Sequence, residues 1–138
     1  MSTAASPIKV VAGLIRQNGA LLICQRRRDG AFPLKWEFPG GKVEIGETLE
    51  DGLARELREE LGIQACIGSL MYHTRHDYPN DFSVELYFFA VRSYAGQMSN
   101  QAFEQICWTT PGGLSAFDFL EGDAAFITLL TRGDLPLS

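Results

Sequence analysis

Apolar residues in the segment from 49 to 61 recur at Leu49, Leu53, Leu57 and Leu61. A spacing of four places them in one stripe on an α-helix. Thr48 is placed to cap that helix, with Asp51 three residues on in a capping-box arrangement, and Gly62 supplies its C′ stop. The spacing predicts a helix of about four turns. Elsewhere the pattern is β-like. Ile8–Arg16 and Ala20–Arg26 read as strands joined by a Gln17-Asn18-Gly19 turn, Asn-Gly favouring the positive φ angles of a type I′ hairpin. Residues 36–42 read as a short strand ending in a tight glycine turn. Ile63–Asp77 and Phe82–Arg92 form two long strands around a turn at Pro79-Asn80-Asp81. In the second, Val84, Leu86, Phe88 and Ala90 alternate with Glu85, Tyr87 and Phe89, apolar on most of both sides, as in a covered sheet. Glu104–Thr109 is a further strand, Pro111–Phe117 a short turn or helix, and Gly122–Thr131 an amphipathic helix with Phe126, Ile127, Leu129 and Leu130 inward. Strands interrupted by two helices give a single α/β domain over residues 1–138, a mixed β-sheet sandwiched between helices, with residues 1–6 as a frayed tail.

Polar residues sharpen this picture on the first helix. At ~100° per residue, Glu56, Glu59 and Glu60 fall in an arc of about 100° beside the leucine stripe. Like charges three and four apart repel, so the grouping favours a bound cation. All-oxygen ligands suit a hard divalent ion, Mg²⁺ or Mn²⁺. Arg55, four residues before Glu59, can hold one carboxylate as an ion pair. A solvated glutamate face is the plain alternative. Gly52, inside the helix, costs ~1 kcal/mol against alanine and points to close packing.

Composition bounds the function classes. The 138 residues contain nine Phe and are 46% hydrophobic, enough for a real core. The net charge of −5 argues against long nucleic acid as a partner, although metal ions can bridge an acidic protein to a small polyphosphate. Three scattered cysteines, Cys24, Cys66 and Cys107, read as buried free thiols. No signal peptide or membrane-length apolar run is found, and a reducing cytoplasm fits. His73 and His76 lie three apart on a strand, hence on opposite faces, which argues against a metal pair. Arg27 and Arg28 read as a charged loop, and Arg26, at a strand end, as the better phosphate ligand.

Gly41, five residues, Glu47, seven residues, then Arg55-Glu56-Leu57-Arg58-Glu59-Glu60-Leu61-Gly62-Ile63 resembles the Nudix box at every defining position. The run Trp36-Glu37-Phe38-Pro39-Gly40-Gly41-Lys42 resembles the MutT branch of that family. The resemblance implies an α/β/α Nudix fold and hydrolysis of nucleoside diphosphates linked to another moiety, with a divalent metal. It puts Glu56, Glu59 and Glu60 on the metal, with Glu56 or Glu59 as general base and Arg55 beside them. The carbonyl of Gly40 is an added ligand, while Gly41, Glu47 and Gly62 shape the box. Glu104 is the local candidate for the loop carboxylate that relatives use as ligand or base, against a plain surface glutamate. By the same resemblance, Phe38 would line the base pocket and Arg26 would contact the nucleotide. The loop Asp118–Asp123 resembles the family's base-reading loop, with Asp123 in place of the usual asparagine. An ionised Asp only accepts hydrogen bonds and a protonated one also donates, so both oxidised guanine and modified cytosine stay open. Asp123 also reads as the N-cap of the last helix. The expected activity is Mg-dependent pyrophosphate release from (d)NTPs by a monomer or weak dimer. RNA 5′ ends, ADP-ribose or nucleotide sugars, and a non-catalytic nucleotide sensor are the alternatives.

Overall fold

A computed structural model describes residues 7–79 and 81–133. The expected N-terminal tail at 1–6 and the Asn80 position of the expected turn lie outside the described residues. Two sheets hold the chain together. In the main sheet the strand order is β5(Gly40–Lys42), β1(Ile8–Leu14), β7(Phe82–Ala95), β6(Gln64–Tyr78). The β1–β7 pair is parallel and the others antiparallel, so the sheet is mixed. The second sheet joins β2(Arg16–Gln17), β3(Ala20–Gln25) and β4(Trp36–Glu37), with β8(Gln105–Thr109) on the other edge of β3.

Two expected strands are in fact divided between these sheets. Ile8–Arg16 breaks at Ile15, whose carbonyl accepts from the N–H of Leu22, and Arg16 begins the second sheet. Residues 36–42 split likewise into β4 and β5 around Phe38-Pro39, where proline has no N–H to continue a ladder. Period-two patterning reports which face a residue occupies and is silent on which sheet it joins. The hairpin forms as its sequence requires, with positive φ at Asn18 (53°) and Gly19 (80°).

Alternation along β1 and β3 then sorts the core into two layers. Val11, Ile15, Leu22 and Cys24 face α1(Leu49–Leu61), which buries Leu53, Leu57 and Leu61 completely. Each such leucine contributes on the order of 1.5–3 kcal/mol. Leu14, Leu21 and Ile23 face the other way, toward α2(Ala124–Thr131), whose Phe126 stacks on Phe88 at 4.2 Å between ring centres. The ends of α1 are defined by Thr48, which accepts from the Asp51 N–H at 3.0 Å, and by Gly62 at φ 69°. A β-carbon on Gly52 would lie 3.2 Å from Glu47 Oε1 and 3.3 Å from Val43, so the helix packs closely there. The cysteines are all free, but only Cys24 is buried; Cys66 is exposed on the edge strand β6 and Cys107 is half-buried. Apolar neighbours in sequence do not reveal that β6 has one open side.

Candidate active site

The turn Gly40-Gly41 brings β1 and α1 into register. Gly40 has φ 154°, and any side chain there would overlap the Val11 carbonyl. A β-carbon on Gly41 would sit 2.5 Å from Cδ of Glu56, so the absence of a side chain lets that carboxylate lie over the loop. The N–H of Gly40 donates to Glu60 Oε1 at 3.0 Å. Backbone and carboxylates therefore share one small patch. The contact seen at Gly40 is through its N–H, not its carbonyl.

Arg55 is the hub on the other side of that patch. Its guanidinium donates to Glu47 at 2.7 Å, Glu56 at 3.0 Å, Glu59 at 2.6 Å and the carbonyl of Lys42 at 3.0 Å. Glu47 in turn accepts from the Glu44 N–H at 2.9 Å, so it ties the loop before α1 to the helix. Paired this way, the Glu47 carboxyl lies below its ordinary range, chiefly through Arg55. Among the described residues no cation pairs with Glu60, whose partner is the Gly40 N–H. Burial, with Glu56, Glu37 and Glu59 nearby, pushes its carboxyl up to about 9. Burial also raises Glu56, against the pull of Arg55.

One cavity of about 340 Å³ joins these carboxylates to the sheet face beyond them. Glu56, Glu60, Gly40 and Gly41 line one end; Phe38, Tyr78, Phe82 and Asp123 line the other, with Arg26 and Glu37 also on its wall. The aromatic rings of Tyr78 and Phe82 are 5.5 Å apart and those of Phe32 and Tyr78 5.6 Å, forming an aromatic border. Asp123 is 6% exposed and its side chain makes no hydrogen bond among the described residues. Burial, reinforced by Glu37, pushes its carboxyl up to about 8. Asp123 stands at the N-cap position of α2, but in helical backbone and with no capping bond from its side chain.

Glu37 was not singled out by sequence reasoning. It lies across β3–β4 from Cys24 and pairs with Arg26 at 3.0 Å. Burial raises its carboxyl while Arg26 opposes the shift. An acidic side chain between the buried Trp36 and Phe38 was the available signal. Arg26 is thus engaged before any phosphate arrives: it binds Glu37 and the Ala31 carbonyl and lies 5.9 Å from the Phe32 ring centre. Glu104 is not brought to this cavity. Its carboxylate pairs with Arg28 at 2.8 Å, which holds it below its ordinary range. The histidines do occupy opposite faces: His73 stacks on Tyr87 at 4.1 Å, and His76 packs edge-on against Tyr78.

Among the described residues, no three acidic, thiol or imidazole groups already converge as a ligand set. Glu56 and Glu59 are turned to Arg55 and Glu60 to the Gly40 N–H. The donor chemistry nonetheless fits a hard divalent ion. Three carboxylates stand close enough to repel, and burial, with the neighbouring carboxylates adding to it, pushes that of Glu60 up to about 9.

Comparison with known proteins agrees. A family model described as NUDIX domain matches residues 6–130. The chain is 34% identical over 126 residues to an 8-oxo-dGTP diphosphatase of Escherichia coli K12, covering 91% of this chain and 97% of that one. It is also 34% identical over 104 residues to a CTP pyrophosphohydrolase of the same strain, covering 75% and 76%. The solution structure of the E. coli ORF135 protein superposes with a TM-score of 0.79 at 30% identity, over 95% of this chain and 94% of that one.

Proposed function

The chain belongs to the Nudix family, whose members are generally divalent-metal dependent, and from that premise we propose that it hydrolyses (d)NTPs to monophosphate and pyrophosphate. The observation that carries this reading is the single cavity with carboxylates at one end and an aromatic, Asp123-bearing wall at the other. A nucleotide has the same polarity: a polyphosphate that needs cations and a base that needs stacking and a few hydrogen bonds. No membrane partner is required, and among the described residues no helix is long and apolar enough to cross a membrane.

Glu56, Glu59 and Glu60 would hold the metal, Mg²⁺ or Mn²⁺, with the Gly40 carbonyl as an added ligand. When bound, such an ion neutralises phosphate oxygens and acidifies water. Glu56 lines the cavity and takes the proton from the attacking water; Glu59 is the alternative base, and Glu104 serves only by leaving Arg28. The water oxygen bonds to the β-phosphorus, the bond to the α,β-bridging oxygen breaks, and monophosphate leaves. Arg26 exchanges part of its bond to Glu37 for a phosphate oxygen. Phe38 and the aromatic border sandwich the base.

Asp123 decides which base. With its carboxyl at about 8, it carries a proton at neutral pH and offers one donor and one acceptor in a plane, as an asparagine amide does. That pair matches the N3 and amino group of cytosine. It equally matches the N7–H and O6 of 8-oxoguanine. It does not match unmodified guanine at N7 and O6, which are both acceptors. The test is kcat/KM across normal and oxidised dNTPs and methylated dCTP with Mg²⁺, reading pyrophosphate. A preference for dCTP-type or 8-oxo-dGTP substrates over dGTP is expected. Release of phosphate rather than pyrophosphate, or product only from ADP-ribose, nucleotide sugars or RNA 5′ ends, overturns the proposal.

A further inference from the structure

A second cleft, of about 540 Å³, opens where the two sheets part, at the opposite end of β1 from the hydrolytic cavity. The two share no lining residue: Ile8, Val10, Val11 and Ala12 border the first, Leu14 and Arg16 the second. The cleft owes its shape to an irregularity in β6. Cross-strand register runs from Ile67↔Val91 to Leu70↔Phe89 and then Tyr72↔Phe88, leaving Gly68 and Ser69 without partners in β7. Such bulges bend the strand and expose its backbone.

Over that bulge lies Arg92. A β-carbon on Gly68 would come within 2.8 Å of Arg92 Cγ, so the missing side chain is what allows the arginine stem to cross the strand. Arg16 lines the same cleft from β2. Neither guanidinium makes a hydrogen bond or ion pair with any described residue, whereas Arg26, Arg28, Arg55 and Arg75 are each tied to a carboxylate. Two like charges on one cleft are left unneutralised in a chain with 17 acidic residues against 12 basic ones. An anion removes that repulsion, and guanidinium forks match phosphate oxygens. Beneath the arginines the floor is apolar: Leu14, Leu21, Ile67 and Met71.

We propose that this cleft is a second binding site, separate from the hydrolytic one, for a phosphorylated small molecule of nucleotide size. The phosphate lies between Arg16 and Arg92, and the planar or apolar part of the ligand covers the Leu14–Met71 floor. It stands whatever base the hydrolytic cavity prefers.

The test is a titration of the full ¹⁵N-labelled chain, free of divalent metal so that nothing turns over, with inorganic phosphate, pyrophosphate and dGMP in turn. Saturable shifts are expected at the amides of Gly68, Ser69 and Val91, with dGMP binding more tightly than inorganic phosphate. Arg92→Ala and Arg16→Ala should each weaken that binding about tenfold. Gly68→Ala, by displacing the Arg92 stem, should do the same. Pyrophosphate release from dNTPs in Mg²⁺ should change less than twofold in Arg16→Ala, an exposed position that is safe for folding if Arg92→Ala is not. Shifts confined to Gly40, Gly41 and the α1 glutamates, or shifts at the bulge whose affinity Arg16→Ala leaves unchanged, overturn the proposal. Equal affinity for phosphate and dGMP removes the role given to the apolar floor.

Discussion

At the α1 end of the hydrolytic cavity, Glu47, Glu56 and Glu59 gather round the single guanidinium of Arg55. At the α2 end, Asp123 is buried with no hydrogen-bond partner among the described residues. The first group answers its charge with a cation, which holds the Glu47 carboxyl below its ordinary range. Asp123 answers it with a proton. Low dielectric makes an unpaired buried anion costly, so the two solutions are the available ones. Glu60 stands between them, its carboxyl pushed up to about 9 like that of Asp123, yet adjacent to the carboxylates that share Arg55. The lesson is that an ion-paired carboxylate and a protonated one perform different tasks: the first can receive a metal, the second can donate a hydrogen bond to a base.

Breaking the ionic end should have the largest effect. Glu60→Gln keeps the side-chain shape and a bond to the Gly40 N–H but removes the metal-binding charge; turnover should fall about 10³-fold with the circular dichroism spectrum unchanged. Activity within tenfold of wild type would contradict the assignment. Arg55→Ala leaves three carboxylates crowded without their counter-ion. Its melting temperature should drop by about 5–10 °C in EDTA, and millimolar Mg²⁺ should recover part of that loss. An equal drop with and without Mg²⁺ would show that cations do not settle there.

The protonated end is broken more gently. As pH rises through about 8, wild-type Asp123 loses its donor, so discrimination between substrate bases should shrink. Asp123→Asn should make the kcat/KM ratio of preferred to poor substrate independent of pH from 6 to 9. A wild-type ratio already flat over that range rules out the neutral carboxyl as the base reader. Stability carries the same signature. Asp123 and Glu60 have carboxyls raised from 3.8 and 4.5 to about 8 and 9, so the folded chain holds more protons than the unfolded one between these limits. Their contribution is full below about pH 4 and is lost as pH climbs toward 9. The metal-free melting temperature should therefore decline over that window, less steeply in Asp123→Asn. A rise would reverse the sign of the argument. Smallest of all, Gly52→Ala should stay within ~1 kcal/mol of wild type in a denaturant titration, helix propensity gained against crowding of Glu47 and Val43.

Much of the carboxylate end was legible beforehand because it is local. The leucine stripe, the Thr48 and Gly62 caps and the grouping of Glu56, Glu59 and Glu60 follow from helical geometry within a single segment, and the likeness to the Nudix box rests on that same segment. The base end was legible only in part: resemblance named Phe38 and Asp123, whereas Tyr78 and Phe82, on either side of the β6–β7 turn, join them only in the fold. Glu104 illustrates the limit: its position in sequence nominated it, and Arg28, in the turn that follows β3, pairs with its carboxylate outside the cavity. Glu37 illustrates the converse, an ordinary letter in a short strand until β3 sets it beside Arg26.

By itself the sequence determined secondary structure, facing and charge, since these depend on neighbours within a few residues. Tertiary structure alone decided how strands divide between two sheets, which carboxylates find a cation and which keep a proton, and where β6 bulges to leave Arg16 and Arg92 over a cleft. Those outcomes depend on dielectric and on contacts across tens of residues, and no local spacing encodes either.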